Sequence, residues 1–456
     1  MSFSGRSRTL VGALLAVALL STPGFAAVIQ ADPSDYKSKI DDLQPGDTLQ
    51  LAPGTYVRMT LRNVNGTAQN RIVIEGPADG SAIIEGESCC NTVQFYSCSF
   101  LTVRNLTVDS LGISGIDGFN AKGGISHDIT LENNLVRGVG GGQQTVGIST
   151  KDAAWNWVIR GNTILEAGTG IYLGNSDGTD PFINGLIENN LIVDTIGYNM
   201  QIKHQNAYDL PQAPQGPNRT IIRNNTFIKD DRPSSNGNRP NLLVGPFPQS
   251  GQGSSDMYEV YGNFFYNNPR ESLFQASGRV AIHDNVFVDA PGGTAIYLTD
   301  HNGPLDIAYV YNNTIYGGGR GIRFNNAARE DHEVVGNLIF SPTGISGNYS
   351  NSRDNLIDDV ENAGLYVQNP SLVLGQMDFY PRNGQGQGTD LAYPASFRQH
   401  ADYNLDFNGN SKGGFRFRGA YAGEGQNPGW QLDRGIKGSS GGSGEPPAPP
   451  TGLSAE

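Results

Sequence analysis

Residues 185–192 read GLIENNLI, and this stretch decides the fold because seven other parts of the chain repeat its pattern. In each repeat, alternating apolar residues precede an asparagine, and a second short strand follows it. The eight stretches are ITLENNLV at 129, WVIRGNTI at 157, GLIENNLI at 185, TIIRNNTF at 220, YEVYGNFF at 258, VAIHDNVF at 280, AYVYNNTI at 308 and HEVVGNLI at 332. Self-similarity of this kind indicates a solenoid.

One asparagine holds the same place in all eight repeats, at intervals of 22 to 38 residues. These asparagines are Asn134, Asn162, Asn190, Asn225, Asn263, Asn285, Asn313 and Asn337. Short strands joined at a recurring asparagine predict an all-β parallel β-helix, in which stacked amides bond along the axis. The competing solenoid, a leucine-rich horseshoe, needs regular leucines and tighter spacing, which this sequence lacks.

The two ends of the chain predict separate segments. Residues 1–26 carry two arginines, an apolar run and then small residues, which is typical of a secretory signal peptide. Residues 27–435 form the predicted β-helix domain, with an N-terminal helical cap and a loop-rich C-terminal cap. Residues 436–456 read as a Gly/Ser/Pro linker, and its last residues resemble the start of a fibronectin-type module.

Composition narrows the function classes. The chain has 456 residues, 61 glycines and a formal net charge of −13, so nucleic acid is disfavoured as a partner. No stretch after the signal is apolar enough to span a membrane, and the predicted location is secreted or periplasmic. An acidic polysaccharide remains a fitting partner where basic residues gather locally. The oligomeric state is left open.

Lys203 is the outstanding candidate for chemistry. Strand alternation in NMQIK puts Met200 inside and Lys203 outside. Gly174 and Gly245 hold the equivalent places on the neighbouring coils, which leaves room for a sugar ring beside the amine. The longest insertions in the repeat follow directly, and long loops on a repeat fold are usually placed for function.

Other outward positions near this coil supply candidate substrate-binding residues. They are Lys151, Asn199, Gln201, Phe274, Tyr297 and Arg323. Coils lie about 4.8 Å apart, close to the length of one sugar residue, so such a strip can follow a polysaccharide chain. The alternative for the aromatic residues is packing against neighbouring loops.

A lysine base near anionic sugars suggests β-elimination from a uronate. The base removes the C5 proton, a cation or hydrogen-bond donor neutralises the carboxylate, and a second group protonates O4. An ordinary lysine has a pKa near 10.4, so burial or nearby cations must lower the pKa of Lys203 for this role.

The run MQIKHQN (200–206), followed by RTIIRNNTFI (219–228), resembles the lysine region of the alginate lyase and chondroitinase B family of polysaccharide lyases. The resemblance implies a right-handed parallel β-helix, a base at Lys203, an arginine acid on the next coil and calcium on the substrate carboxylate. Gly245 stands in the arginine's place, and Asn199 and Met200 stand where acidic calcium ligands belong.

The catalytic acid is therefore left open among Tyr172, His204 and Arg223. Carboxylate neutralisation is left open among Lys151, His204, Asn199 and Gln201. The loop NSDGTDP supplies Asn175, Asp177 and Asp180 as candidate calcium ligands, with a simple turn as the alternative.

Three rival functions remain. A glycoside hydrolase needs converging carboxylates, and the nearest acidic residues lie in predicted loops. A C5-epimerase shares the proton abstraction, but the DPHD-type motif of alginate epimerases is absent. The third rival is a non-catalytic glycan-binding or adhesive β-helix.

Overall fold

The computed structural model describes residues 1, 26–289, 292–388 and 395–438. Three long sheets run along the molecule, and every neighbouring pair of strands within them is parallel. Most coils give one strand to each sheet, so the chain is a right-handed parallel β-helix, as predicted. The predicted signal peptide at 1–26 and linker at 436–456 lie almost wholly outside the described residues.

Sheet 1 holds the strand that precedes each repeat asparagine. Its strands are Val28–Ala31, Thr48–Leu51, Ile72–Glu75, Ser99–Arg104, His127–Glu132, Val158–Arg160, Leu186–Glu188, Arg219–Arg223, Met257–Tyr261, Gly278–His283, Leu305–Tyr311, Asp331–Val335 and Ser352–Arg353.

Sheet 2 holds the strand that follows each asparagine. Its strands are Gly54–Val57, Ala82–Glu85, Thr107–Asp109, Leu135–Arg137, Thr163–Leu165, Leu191–Val193, Thr226–Ile228, Phe264–Tyr266, Val286–Asp289, Thr314–Gly317, Leu338–Phe340 and Leu356–Asp358.

Sheet 3 completes the coil and carries Lys203 at the end of one strand. Its strands are Met59–Arg62, Val93–Tyr96, Phe119–Ala121, Val146–Thr150, Thr169–Leu173, Met200–Ile202, Leu242–Val244, Phe274–Ala276, Thr294–Leu298, Arg320–Phe324 and Ile345–Gly347. Two smaller pairs stand outside the sheets, Ala154–Trp155 with Phe182–Ile183 and Val367–Asn369 with Asp378–Pro381.

The repeat asparagines form the predicted ladder at the bend between sheets 1 and 2. Asn190 donates from Nδ2 to Oδ1 of Asn225 at 2.9 Å, and Asn225 donates likewise to Asn263 at 3.0 Å. The same Oδ1 of Asn225 also accepts the backbone N–H of Asn190 at 3.0 Å. One further member, Asn355, ends the ladder on the last coil. Each buried amide therefore finds partners on both neighbouring coils.

Apolar residues fill the space between the sheets. Phe227, Phe265 and Phe287 stack on successive coils with ring centroids 4.9 and 4.6 Å apart. The helix Tyr36–Asp41 covers the first coil and buries Tyr36 and Ile40, which confirms the helical cap.

The C-terminal segment is loop-rich, as predicted, with short 3₁₀ helices at Val360–Leu365 and Ala395–Gln399. It runs back along the flank of the solenoid. Lys437 donates to the backbone oxygen of Gly262 at 2.7 Å, and Arg434 pairs with Asp194. No helix among the described residues combines the length and apolar character that a membrane span requires.

Candidate active site

Lys203 lies on the outer surface of sheet 3, one residue beyond the strand Met200–Ile202. Met200 and Ile202 are fully buried in the core, and Lys203 is partly exposed. Its backbone N–H donates to Leu173 on the preceding coil at 2.9 Å. The parallel ladder therefore holds the base of the side chain in place on a rigid element.

The two flanking glycines leave space around the lysine. A Cβ at Gly174, whose φ is +85°, would lie 3.5 Å from Cβ of Lys203. A Cβ at Gly245 would lie 2.4 Å from the backbone nitrogen of His204, closer than real contacts allow. The backbone at Lys203 and His204 therefore passes so close to residue 245 that only glycine fits there. With glycine also at 174, the two register neighbours of Lys203 on the adjacent coils carry no side chain.

Loops leave sheet 3 just after Lys203, and we call the outer surface around Lys203, between these loops and the insertion at 230–240, the cleft. Gln205 donates from Nε2 to the backbone oxygen of Phe182 at 3.0 Å. Gln252 accepts from the backbone N–H of Leu210 at 2.9 Å, and Asp256 accepts from that of Asn218 at 2.7 Å. These bonds tie the insertions at 205–218 and 245–256 to each other and to the coil.

The insertion at 230–240 precedes the strand Leu242–Val244 and borders the cleft at the opposite end of sheet 3. The backbone N–H of Asn236 donates to Oε1 of Gln143 at 2.8 Å, which anchors the loop to an earlier coil. The loop brings Arg239 to the cleft, where its guanidinium lies 5.7 Å from the ring centroid of Tyr198.

The cleft is cationic and partly shielded from water. Burial is the main cause that lowers the pKa of Lys203, and the charge of Arg239 lowers it further. Burial also lowers the pKa of Lys151 to about 8, although Asp117 opposes the shift. The Lys151 amine lies 3.5 Å from the ring centroid of Tyr172, a cation–π contact. Both amines are therefore easier to deprotonate than ordinary lysines.

Two histidines border the lysine. Burial lowers the pKa of His204, and the charge of Lys203 adds to the effect. The same two causes, in the same order, lower the pKa of His301. The ring of His204 packs against Gly178 in the neighbouring loop, where a Cβ would lie 2.6 Å from the ring. Both histidines are consequently neutral near pH 7.

Four of the predicted residues lie on the outer face of sheet 3 with Lys203. Tyr172 and Gln201 are register partners on adjacent coils, and the Tyr172 hydroxyl donates to Ser176 at 3.0 Å. Tyr297 and Arg323 pair farther along the sheet, with the guanidinium 5.1 Å from the ring centroid.

Two predicted substrate-binding residues are wrong. Phe274 pairs in register with Leu242 and Ile296 and is 0% exposed, so it belongs to the core. Asn199 is also fully buried, and its amide donates to the backbone oxygen of Ile228 at 3.1 Å. Neither side chain reaches the cleft, and Gln275 holds the outward place assigned to Phe274.

Arg223 as the catalytic acid is wrong as well. It belongs to sheet 1 and is 1% exposed, beneath the returning C-terminal segment. Its guanidinium pairs with Glu188 at 2.7 Å and with Asp402 at 2.8 Å, and the Tyr261 hydroxyl lies 3.3 Å away. This buried network holds the flank together on a different face from Lys203.

The loop proposed for calcium is a turn that satisfies its own oxygens. Oδ1 of Asp177 accepts from the backbone and the hydroxyl of Thr179, at 3.1 and 2.7 Å. Oδ2 of Asp180 accepts from Nδ2 of Asn175 at 3.1 Å. The described part of the chain holds no group of three or more His, Cys, Asp or Glu residues placed for a metal. The donor set of this turn does not fit a calcium site.

Sequence reasoning missed Arg239, His301 and Tyr198. Each lies outside the strand positions that the repeat defines, in a loop or at a corner. In the sequence, Arg239 and His301 are visible only as isolated basic residues, because no fixed offset from the repeat asparagine places a loop residue in space.

Comparison with known proteins agrees with this fold. Residues 251–365 match the family model of NosD, described as a periplasmic copper-binding protein. That match covers only part of the coiled region. A comparison with curated proteins gives no match.

Several solved structures are similar to the chain. Pectate lyase Pel9A is 13% identical with a TM-score of 0.47, covering 81% of this chain and 89% of its own. The A-module of mannuronan C-5 epimerase AlgE4 from Azotobacter vinelandii is 15% identical with a TM-score of 0.45, covering 71% and 95%. The PL6 family alginate lyase AlyGC is 14% identical with a TM-score of 0.38, covering 72% and 51%.

At these identities and TM-scores the likeness decides nothing about the activity of this chain. The predicted resemblance to polysaccharide lyases is confirmed in that the similar structures include a pectate lyase and an alginate lyase. The structure shows a right-handed parallel β-helix protein with cationic residues gathered around Lys203 on the outer face of sheet 3.

Proposed function

We propose that this protein is an exported polysaccharide lyase that cleaves a uronic-acid-containing polysaccharide by β-elimination, with Lys203 as the base. The observation that carries the proposal is the placement of Lys203. It is a partly buried amine between two glycines, on the outer face of sheet 3 in the cleft, with its pKa lowered. A base for C5 needs this combination of access and reduced proton affinity.

The substrate carboxylate meets cations of the chain itself. Lys151 approaches Lys203 on the sheet, and Arg239 approaches it from the insertion at 230–240. Their positive charge stabilises the enolate-like intermediate that forms when the C5 proton leaves, and the partly dry cleft strengthens that effect. Gln201 lies on the same face but is only 3% exposed, so it supports the neighbouring side chains and is not assigned to the substrate.

Tyr172 is the proposed acid. Burial raises the pKa of its phenol, so the hydroxyl stays protonated in the working pH range. In the reaction the C5–H bond breaks and its proton passes to Nζ of Lys203. The C4–O4 bond then breaks, O4 takes the phenolic proton, and a C4=C5 double bond remains. Transfer of the proton from Lys203 to the phenolate, directly or through water, restores both groups.

The residues around Lys203 give less support to a hydrolase than to a lyase. The described outward positions of sheet 3 beside Lys203 on adjoining coils are glycine, glutamine, tyrosine and leucine. Asp177 and Asp180 are engaged in their own turn, and Asp231 pairs with Arg270 at 2.9 Å. A hydrolytic pair of carboxylates flanking a glycosidic bond has no counterpart there.

Product analysis tests the proposal. Alginate, glucuronan, pectate and glycosaminoglycans are incubated with the purified protein and followed at about 235 nm, where the new double bond absorbs. Absorbing oligosaccharides are expected from at least one polymer. New reducing ends without absorbance indicate a hydrolase, altered uronate stereochemistry without cleavage indicates an epimerase, and binding alone indicates a glycan-binding protein.

Lys203→Ala tests the base. The folded variant is expected to lose nearly all turnover while still binding substrate, with Lys37→Ala on the cap helix as a matched control. Full activity of Lys203→Ala overturns the assignment. Repeating the assay with a chelator tests the prediction of calcium, and retained activity is expected because Lys151 and Arg239 supply the positive charge.

A further inference from the structure

The outward file that contains Lys203 continues toward the N-terminal end of sheet 3 and is basic there. In register order the file runs Arg62, Tyr96, Lys122, Lys151, Gly174 and Lys203. The register places each of these residues beside the next, one per coil. We call these six residues the basic file.

The cations of the basic file differ from most described arginines in that they form no salt bridge. The chain has 44 acidic residues for 31 Lys and Arg, and most described arginines form an ion pair with one of them. Within the described ranges, none of Arg62, Lys122, Lys151 and Lys203 forms a salt bridge. Arg62 and Lys122, together with Lys151 while it is protonated, give this stretch of an acidic protein a local positive potential.

The nearest carboxylates are bonded to other groups and form no salt bridge with the cations of the basic file. Asp152 accepts the backbone N–H of Gly124 at 2.6 Å and so belongs to a turn. Asp117 is buried and accepts from Asn120 at 2.7 Å and from the backbone of Val146 at 2.8 Å. Neither acid neutralises the exposed ends of Arg62 and Lys122.

The other direction along the file has no such charges. Beyond Lys203 the equivalent places hold Gly245, Ser277, Thr299 and Asn325. A long polyanion crossing the cleft therefore meets cations on the N-terminal side of Lys203 and neutral groups on the other side of the same file.

We propose that the basic file is an extended subsite for a polyuronate chain, occupied on the N-terminal side of Lys203. This deepens the proposed function and depends on it for the choice of substrate class. Five coil steps separate Arg62 from Lys203, which corresponds to about 24 Å and to roughly five sugars at one sugar per coil. The carboxylates bind the cations, and the Tyr96 ring, 4.1 Å from the Arg62 guanidinium, positions that cation on the file.

Binding measurements in a Lys203→Ala background test the subsite without turnover. The probes are alginate and pectate oligosaccharides of about three and about eight sugars, chosen because only the longer ones span the basic file. The variants are Arg62→Gln and Lys122→Gln, singly and together. Lys37→Gln on the cap helix removes the same charge from an exposed site and serves as the control.

The double variant is expected to bind the long oligosaccharide about tenfold more weakly, with little change for the short one, since two exposed charge contacts are lost. The affinity for the long probe is also expected to depend less on salt. The control variant leaves both affinities unchanged.

Equal effects on short and long probes, an equal effect of Lys37→Gln, or no binding of any uronate probe overturns the proposal. Failure of the lyase proposal looks different. In that case the unaltered protein cleaves nothing, while tight binding of long polyuronates still depends on Arg62 and Lys122.

Discussion

The asparagine ladder predicts a large and position-dependent loss of stability for Asn225→Ala. In the native chain, Oδ1 of Asn225 accepts two hydrogen bonds from Asn190, and its Nδ2 donates to Ile187 at 2.9 Å and to Asn263 at 3.0 Å. Alanine leaves the backbone N–H of Asn190 and one of its two amide N–H groups without an acceptor, while the other still donates to Ile159 at 2.8 Å. Both groups are buried, and each unsatisfied donor costs about 1–3 kcal/mol. The expected loss is therefore about 4 kcal/mol.

Urea unfolding followed by circular dichroism measures this loss. A drop of about 4 kcal/mol is a substantial part of the usual 5–15 kcal/mol for a folded domain. At about 3 kcal/mol per molar of urea, the midpoint is expected to fall by about 1 M or more.

Asn355→Ala is the matched control, because Asn355 is the last rung of the same ladder. It accepts the backbone N–H and the amide of Asn337, both at 2.9 Å, as Asn225 accepts those of Asn190. The last coil is open to solvent, and Ile357 beside it is 47% exposed. Water can replace the missing partner, so the expected loss is below about 1.5 kcal/mol. Equal losses for the two variants would refute the reasoning that burial of the ladder gives it its strength.

Three further outcomes are expected. Affinity for a long oligouronate in the Lys203→Ala background should fall as pH rises through about 8, where Lys151 loses its proton, and Lys151→Arg should remove that pH dependence in a binding titration. Gly178→Ala should lower lyase turnover and the melting temperature, because φ is +80° there and the new Cβ meets the His204 ring at 2.6 Å; an unchanged melting temperature contradicts this packing. Glu188→Gln should destabilise the protein by about 2 kcal/mol in urea unfolding, since it weakens one charged hydrogen-bonded contact of buried Arg223 while Asp402 still pairs with the guanidinium; a loss under about 0.5 kcal/mol contradicts the buried pair.

The sequence predicted the coils well because one local constraint recurs in each of them. A buried amide at a bend needs partners above and below, and only a stack of like residues provides them. The signal is thus repeated eight times in the printed chain and does not depend on loop length. The same reasoning placed Lys203, Tyr172 and Gln201 correctly on the outer face of sheet 3.

The errors arose at the corner where the chain enters sheet 3. Asn199, Asn241 and Leu273 precede their strands and are fully buried, as are Met200, Leu242 and Phe274 that follow them. Two successive residues therefore point inward, which breaks simple alternation. In the coil of Phe274, the outward position was assigned one residue too early, to Phe274 instead of Gln275, and Asn199 was assigned to the outer surface.

Loop residues were the other limit of sequence reasoning. Arg239 reaches the cleft because its loop is anchored to Gln143, about 90 residues away in the chain. Arg223 shows the reverse error, in which a residue close along the chain lies on a different face of the solenoid. Its position one strand beyond Lys203 suggested proximity, yet successive strands of one coil lie on different faces of the solenoid.

The returning C-terminal segment changes how the solenoid is expected to unfold. In a simple solenoid each coil touches only its neighbours, so the structure can fray from either end. Here Arg434 reaches Asp194 and Lys437 reaches Gly262, while residues 360–365 lie beside the last coils. When the final coils fray, the C-terminal segment that packs beside them is disturbed as well, and this segment is bonded to coils near the middle of the molecule. The open C-terminal end is thereby coupled to the coils that hold the cleft, and the two are expected to unfold together.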